Sequence, residues 1–570
     1  MDPLRGIPAS PGIALGPSFV IRQPSLRVDR DTVKDPKAEL DRLESALELG
    51  RQQLNELVTQ TQEEIASSEA AIFDAHAMFL DDPALLDRVR QAIQTDRLNA
   101  PAAWKDSIEH FAQQMEAVDD EYLRARASDI RDVGRRVLRI LLGKEDSEAA
   151  RLSTPSIIIA RDLAPSDTVQ LNRELVLGFG TAEGGATSHT AILAKALGLP
   201  AVVGVGPKLT QIGPGVDLIL DGNEGSVWVA PDREMQDEFR ARQAKAHVVS
   251  VENQKHAHAP AVSRDGVQVE IVANIGSLDD SHTALDMGAE GVGLLRTEFL
   301  YLDRQSAPTE QEQTEAYGAI LEVMGDRPVV VRTLDVGGDK PLPYLQVEEE
   351  QNAFLGWRAI RMCLDKPDFF KIQLRALWRS SLGHDLRIMF PMIATVDEVR
   401  QARALLDEAR NEVLDAGHAI SDSVQVGIMV EIPSVAILSD LMAPEVDFFS
   451  VGTNDLTQYT LAADRTNQRV ARLGDACHPA VLRQIRDVTQ AAHDHGKWVG
   501  VCGELAGDPA GIPILLGLGL DELSMTPHAI PAAKAQIRRW SAEDAKRLAN
   551  DALSLASAES VRQLVSANQA

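Results

Sequence analysis

The chain has 570 residues, with 85 acidic against 57 basic side chains and a formal charge of −28. That length allows several domains with full cores, and the acidic surplus argues against a nucleic-acid or anionic-membrane surface while suiting a basic protein partner. Cys363, Cys477 and Cys502 are too few and too scattered for a disulfide framework or zinc site, and neither an apolar signal core at the start nor a long apolar run occurs, so a reducing, cytoplasmic setting is expected.

Residues 6–22 mix turn formers with short apolar pieces, which reads as strands that join a sheet completed later in the chain. From Asp35-Pro36 the pattern turns helical, with Leu40, Leu43, Leu47, Leu54 and Leu57 on one stripe. Further helices are expected over Glu69–Leu80, Pro83–Ile93 and Pro101–Leu142, the last stopped by Gly143, so residues 23–145 read as a helical bundle. Residues 151–230 return to short β-rich runs, such as Ile157-Ile158-Ile159 and Ala201-Val202-Val203. The bundle is thus inserted into a small α/β domain made of residues 1–22 and 146–230. Residues 231–260 are charged and poor in large apolar side chains, a linker containing a helix, and its His256 and His258 are read as solvated.

Within the α/β domain, Glu183-Gly184-Gly185-Ala186-Thr187-Ser188-His189-Thr190 runs into an alanine- and leucine-rich segment. The glycines permit a tight turn and Thr187 and Ser188 are good N-cap types, so His189 is expected in a helix's first turn. Free amides and the positive end of the dipole there favour a neutral imidazole and a nearby anion, which suits a nucleophile that takes and holds a phosphoryl group. A histidine that only caps or packs a helix start would look the same in isolation.

After Ser263, eight candidate strands alternate with helical segments: residues 267–275, 291–296, 329–333, 386–391, 425–431, 448–453, 498–503 and 522–524. Eight strand-then-helix units over residues 261–570 read as a (β/α)8 TIM barrel. Reactive groups of such a barrel sit at the C-terminal strand ends, where Arg296, Arg332, Glu431, Asn454, Asp455 and Cys502 fall. Two carboxylates with several arginines suit a Mg²⁺-bound, multiply anionic substrate with phosphate and carboxylate groups. Cys502 on its own reads more readily as an inert buried thiol than as a reactive one. His493 and His495 are spaced like metal ligands but precede the seventh strand, on the wrong face, and are read as surface residues.

The run Gly184–Thr190 resembles the phosphohistidine loop of the phosphoenolpyruvate-utilising enzymes, with Ala186 where some members carry arginine or proline. Asp447–Arg465 is similar to that family's second signature over its whole length. Residues 293–298, 332–340, 356–361 and 502–504 resemble the Enzyme I branch of the sugar phosphotransferase system, so the likeness spans essentially the whole chain. The resemblance implies phosphoryl transfer from phosphoenolpyruvate to His189 and on to the histidine of the small carrier protein HPr, with pyruvate released, as the first step of sugar uptake. It also implies that Glu431 and Asp455 hold Mg²⁺, that Arg296, Arg332 and Arg465 hold the phosphate, and that Asn454 and Arg358 hold the carboxylate end. Cys502 would protonate the enolate. The family further implies a swivelling histidine domain, a carrier docked on the helical bundle and a homodimer through the barrel. Rival members, phosphoenolpyruvate synthase and pyruvate phosphate dikinase, need an ATP-grasp domain that the helical first part cannot supply. A catalytically silent regulatory homologue would be expected to lack one of His189, Glu431, Asp455 or Arg296, and all are present.

Overall fold

The computed structural model describes residues 2–21, 26, 28–64, 78–116, 121–144, 152–163, 171–185, 188–302, 304, 306–337, 342, 344–345, 350, 352–465, 467 and 470–568. It divides into two compact units, residues 1–247 and 248–570.

The first unit is built on a sheet of β1 (Leu4–Arg5), β2 (Ile7–Ser10), β3 (Ile13–Ile21), β4 (Ser156–Ala160), β5 (Val176–Thr181), β6 (Ala201–Val203), β7 (Asp217–Asp221) and β8 (Ser226–Val229). Their order is β1-β8-β7-β3-β4-β5-β6-β2. The central strands β3 to β6 are parallel, and β2, β7, β8 and β1 pair antiparallel. Ile157, Ile158 and Ile159 on β4 are all fully buried, because a central parallel strand is covered on both faces: Ile158 joins one core cluster, Ile157 and Ile159 another. Residues 7–21 do join a sheet completed later, as expected, with β3 running beside β4 from Ser18↔Ile157 to Ile21↔Ala160.

Between β3 and β4 lie the helices Pro36–Glu64, Pro83–Gln94, Ala100–Glu116 and Glu121–Leu141. The leucine stripe works as read: Leu43, Leu47 and Leu54 are buried in the bundle core. The expected helix over Glu69–Leu80 lies outside the described residues apart from 78–80, which are helical, and the side chain of Leu57 is also outside them. The single helix expected over Pro101–Leu142 is instead two that pack against each other. Trp104 Nε1 donates to the carbonyl of Gly134 at 2.9 Å, and Arg131 Nη2 donates to Glu109 Oε1 at 2.8 Å, so the chain has reversed between them. The apolar stripe continues across both, and the intervening Ala117-Val118-Asp119-Asp120 contains neither Gly nor Pro, so periodicity alone could not mark the break. Where described, residues 36–141 are helices and their short connections, which leaves no nucleotide-binding α/β domain among the described residues there.

The boundary between the units falls inside the helix Arg233–Lys255. Its Phe239 is buried against Trp228, ring centroids 4.8 Å apart, and Gln243 Nε2 donates to the carbonyl of Ile13 at 2.7 Å. His256 and His258 are exposed, as read.

The second unit opens with β9 (Ala261–Val262), antiparallel to the first barrel strand. Eight parallel strands follow: β10 (Gln268–Ile275), β11 (Val292–Leu295), β12 (Val329–Arg332), β13 (Leu386–Phe390), β14 (Gln425–Val430), β15 (Phe448–Val451), β16 (Trp498–Val501) and β17 (Glu522–Met525). The barrel closes because β10 pairs with both β17 and β11. Alternation along each strand divides the side chains. Val329, Val331, Ile388, Ile428 and Phe449 enter the large core under the helices, whereas Val330, Met389, Met429 and Phe448 form a separate inner cluster with Cys502. All eight expected strands are present. The sixth ends at Val451 rather than Thr453, because a helix, Thr453–Leu461, already begins there.

At the N-terminal strand ends, Glu522 is only 2% exposed and its Oε1 has no hydrogen-bond partner. Burial pushes its carboxyl up to about 8; Arg387 opposes this, and Glu270 and Asp521 add to it. His493 and His495 are exposed on this same side, His493 Nε2 lying 2.9 Å from Asp521 Oδ2. Among the described residues no helix is long and apolar enough to cross a membrane.

Candidate functional site

His189 is the first residue of the helix His189–Ala196, as expected, and Ser188 stands at the N-cap position in extended backbone. Ser188 makes no side-chain cap bond; its Oγ and the Oγ1 of Thr190 are both buried without hydrogen-bond partners. The loop reaches the helix through Gly184 at φ +98°, a conformation that L side chains rarely adopt. It is tied down by Thr181 Oγ1 donating to the carbonyl of Glu183 at 2.7 Å and by the Ser188 amide donating to the carbonyl of Gly185 at 3.0 Å. Ala186 and Thr187 lie outside the described residues.

In the barrel, the expected residues fall at the C-terminal strand ends. Arg332 is the last residue of β12, Glu431 follows β14, Cys502 follows β16, and Asn454 and Asp455 sit in the first turn of the helix after β15. Arg332 is buried, pairs through Nη2 with Glu298, and reaches Asp335 Oδ2 through Nη1 at 3.0 Å. Arg358, also buried, donates to the same Asp335 through Nε at 3.2 Å and through Nη2 at 2.9 and 3.0 Å. Burial alone would lower both guanidinium pKa values, but Asp335 and Glu431, joined by Glu298 at Arg332 and by Asp455 at Arg358, drive both up. Each arginine keeps one donor in reserve: Arg332 Nε and Arg358 Nη1 are buried with no hydrogen-bond partner among the described residues.

Glu431 is 1% exposed and accepts from the Met392 amide at 2.6 Å. Burial raises its carboxyl well above the usual range, the nearby charges of Asp455 and Asp335 raise it further, and Arg332 and Arg358 pull back. Asp455 is buried too, and its Oδ1 accepts no hydrogen bond; Arg465 Nη1 stands 3.6 Å from it, an ion-pair distance only. Four buried carboxylates, Glu298, Asp335, Glu431 and Asp455, thus face two buried guanidiniums. A hard divalent cation with oxygen ligands would correct that excess, and the oxygens of Glu431 and Asp455 are the right donors for it.

Arg296 and Arg465 are exposed, and Arg296 has no hydrogen bond or ion pair from its side chain among the described residues. Asn454 Oδ1 accepts from the Glu504 amide at 3.0 Å, which leaves its side-chain N–H groups as donors. Cys502 is 4% exposed, and burial pushes its thiol up to about 11, so at neutral pH it carries its proton. The structure therefore gathers Arg332, Arg358, Glu431 and Asp455 into one charged cluster, with Arg465 at its rim.

Glu298 and Asp335 were given no role in the sequence, yet they hold the two arginines. Each lies two or three residues beyond an assigned arginine, Arg296 or Arg332, and a carboxylate just past a barrel strand end is the signal that finds them. Asn274 is a third: its Nδ2 donates to the Cys502 carbonyl at 3.0 Å.

The chain matches the descriptions "PEP-utilising enzyme, PEP-binding domain" over residues 250–542, "PEP-utilising enzyme, N-terminal" over 5–126 and "PEP-utilising enzyme, mobile domain" over 152–225. It is 49% identical over 562 residues to the phosphoenolpyruvate-protein phosphotransferase of Geobacillus stearothermophilus, covering 99% of this chain and 97% of that one. The protein of the same name from Bacillus subtilis (strain 168) is 48% identical over 561 residues, with 98% of each chain covered. That from Staphylococcus carnosus (strain TM300) is 45% identical over 562 residues, covering 99% and 98%.

Proposed function

This chain belongs to the phosphoenolpyruvate-utilising enzymes and, within them, to the phosphoenolpyruvate-protein phosphotransferases, and from that premise we propose which of its residues carry the reaction. It is an enzyme that transfers the phosphoryl group of phosphoenolpyruvate to protein and so opens the phosphotransferase route of sugar uptake. We infer that His189 is the acceptor. Its neutral imidazole forms an N–P bond as the P–O bond of phosphoenolpyruvate breaks, the enolate takes the Cys502 proton, and pyruvate leaves.

The single observation that carries this assignment is the pair of unused donors, Arg332 Nε and Arg358 Nη1, buried beside carboxylates that outnumber the guanidiniums. Glu298 and Asp335 fix the two arginines in advance, so no reorganisation is needed when an anion arrives. Arg332, with Arg296 and Arg465 from the rim, takes the phosphate; Arg358 and the amide of Asn454 take the carboxylate end. Glu431 and Asp455 would hold Mg²⁺, as the family generally does, and when bound the ion would supply neutralisation of the negative charge that develops during transfer.

The division 1–22 with 146–230, 23–145, 231–260 and 261–570 we take to be functional: histidine domain, docking bundle for HPr, helical linker and phosphoenolpyruvate-binding barrel. His189 passes its phosphoryl group to the histidine of HPr in the cytoplasm, and two copies associate through their barrels. Labelling with ³²P-phosphoenolpyruvate, with and without Mg²⁺ and HPr, tests the assignment. The wild-type chain gains an acid-labile label that HPr removes, whereas His189→Ala gains none but still binds phosphoenolpyruvate; a labelled His189→Ala chain would reveal another acceptor.

A further inference from the structure

The C-terminal helix Ala558–Asn568 places Arg562 on two barrel loops at once. Nε and Nη2 donate to Asp475 at 2.7 and 2.9 Å, and Nη2 also donates to Asp508 at 2.7 Å. Asp475 lies between the helix Thr453–Leu461 and the helix Pro479–Asp494, and Asp508 between β16 and the helix Gly511–Leu518. The helix Pro479–Asp494 ends where the chain enters the N-terminal end of β16, so its start lies at the opposite, C-terminal face, as does the strand-to-helix loop of Asp508; both carboxylates belong to the face that carries Glu431, Asp455 and Cys502.

Both carboxylates also shape backbone. Asp475 Oδ1 accepts from the Cys477 amide at 3.0 Å and Asp508 Oδ1 from the Ala510 amide at 2.8 Å, each just before a barrel helix. Burial would raise the Asp475 carboxyl, yet its bonds to Arg562 hold it below the usual range. The same two loops meet again beside the thiol. Glu504 N donates to Asn454 Oδ1 at 3.0 Å, and a methyl group at Gly503 would come within 1.9 Å of Thr453 Oγ1. The loop after β16 is therefore held at two points against the segment that follows β15, by Asn454–Glu504 at the start of its helix and by Asp475–Arg562–Asp508 beyond that helix, and the turn Glu504–Gly507 joins the two points.

We propose that Arg562 is a positioning residue for phosphoryl transfer: it fixes the turn that bears Cys502 against the loop that bears Arg465, and so sets where the proton donor stands relative to the enolate. The inference rests on Cys502 being that donor. A planar guanidinium meets two carboxylates together, whereas a lysine ammonium offers no such fork.

The test uses the full chain with HPr and follows pyruvate release by Cys502→Ala, Arg562→Ala, Arg562→Lys and Asp508→Asn, each well below its melting temperature. Arg562→Ala is expected to lower kcat about tenfold, to leave KM for phosphoenolpyruvate within about twofold, and to enlarge the solvent deuterium isotope effect as proton delivery slows. Arg562→Lys recovers part of the rate, and Asp508→Asn adds little to Arg562→Ala, because the two act through one contact. An Arg562→Ala chain with unchanged kcat and isotope effect, or a rate loss that only follows the loss of folded protein, overturns the proposal while Cys502 keeps its role, provided Cys502→Ala is slow. A Cys502→Ala chain with normal kcat and isotope effect overturns the reading of Cys502 and this proposal with it.

Discussion

Arg358 grips both oxygens of Asp335 along one edge of its guanidinium, Nε at 3.2 Å and Nη2 at 2.9 and 3.0 Å, while Arg332 shares Oδ2 of the same carboxylate at 3.0 Å. One carboxyl thereby orients two buried cations that the substrate needs, before any substrate is present.

Asp335→Ala is therefore expected to do double harm. It strips buried Arg332 and Arg358 of the hydrogen-bond partner they share, which costs the barrel about 3 kcal/mol, and it lets both guanidiniums wander, so KM for phosphoenolpyruvate rises. Urea unfolding and steady-state kinetics on one preparation check both.

Glu522 makes the barrel sensitive to alkali from the opposite end. Its carboxyl is raised from 4.5 to about 8 in the fold, so the folded chain keeps a proton that the unfolded chain releases. The resulting stability is complete below pH 4.5, falls as pH rises and is gone once pH passes about 8. The stability of wild type relative to Glu522→Gln, followed by unfolding across that range, is expected to fall steadily with rising pH, moving in favour of the neutral variant; a relative stability that does not change with pH would show that Glu522 titrates normally.

Gly503 has room for no side chain, since a methyl there would approach Thr453 Oγ1 to 1.9 Å, and backbone beyond it is hard to displace. Gly503→Ala is expected to push the Cys502 turn away from Asn454, to lower kcat by about a hundredfold and to lower the melting temperature as the backbone gives way, with a native circular dichroism spectrum below it.

Residues 1–247 hold their own core clusters for the bundle and for both faces of their sheet. Expressed alone, this unit is expected to exchange phosphate with phospho-HPr and to take none from phosphoenolpyruvate. Label from phosphoenolpyruvate on the isolated unit would place the donor site outside the barrel.

The barrel was legible because each strand alternates or runs apolar between polar segments, and Glu431, Asp455 and Cys502 announce themselves by falling at strand ends. The start of the helix at His189 was legible from glycines and small hydroxyl residues. That residues 100–141 make two helices rather than one was not, since nothing in the composition of residues 117–120 breaks a helix. Nor were the partnerships of Asp335 and Glu298: sequence places a carboxylate near a strand end but says nothing of which guanidinium from a different strand will meet it. Arg562 is harder still, because its two partners are separated from it by 87 and 54 positions and no periodic pattern links them.

The strand pairings of the first unit also bear on how it is made. Leu4 finds its neighbour only at Val227, and Ile7 only at Val203, while the inserted helices contact chiefly one another. On the ribosome the opening strands must wait, unpaired, while the insert assembles from local contacts and the rest of the sheet is translated. A nascent chain halted short of Ser226 would carry a finished helical insert on an unsealed sheet, and chaperones would meet bare strand edges rather than loose helices.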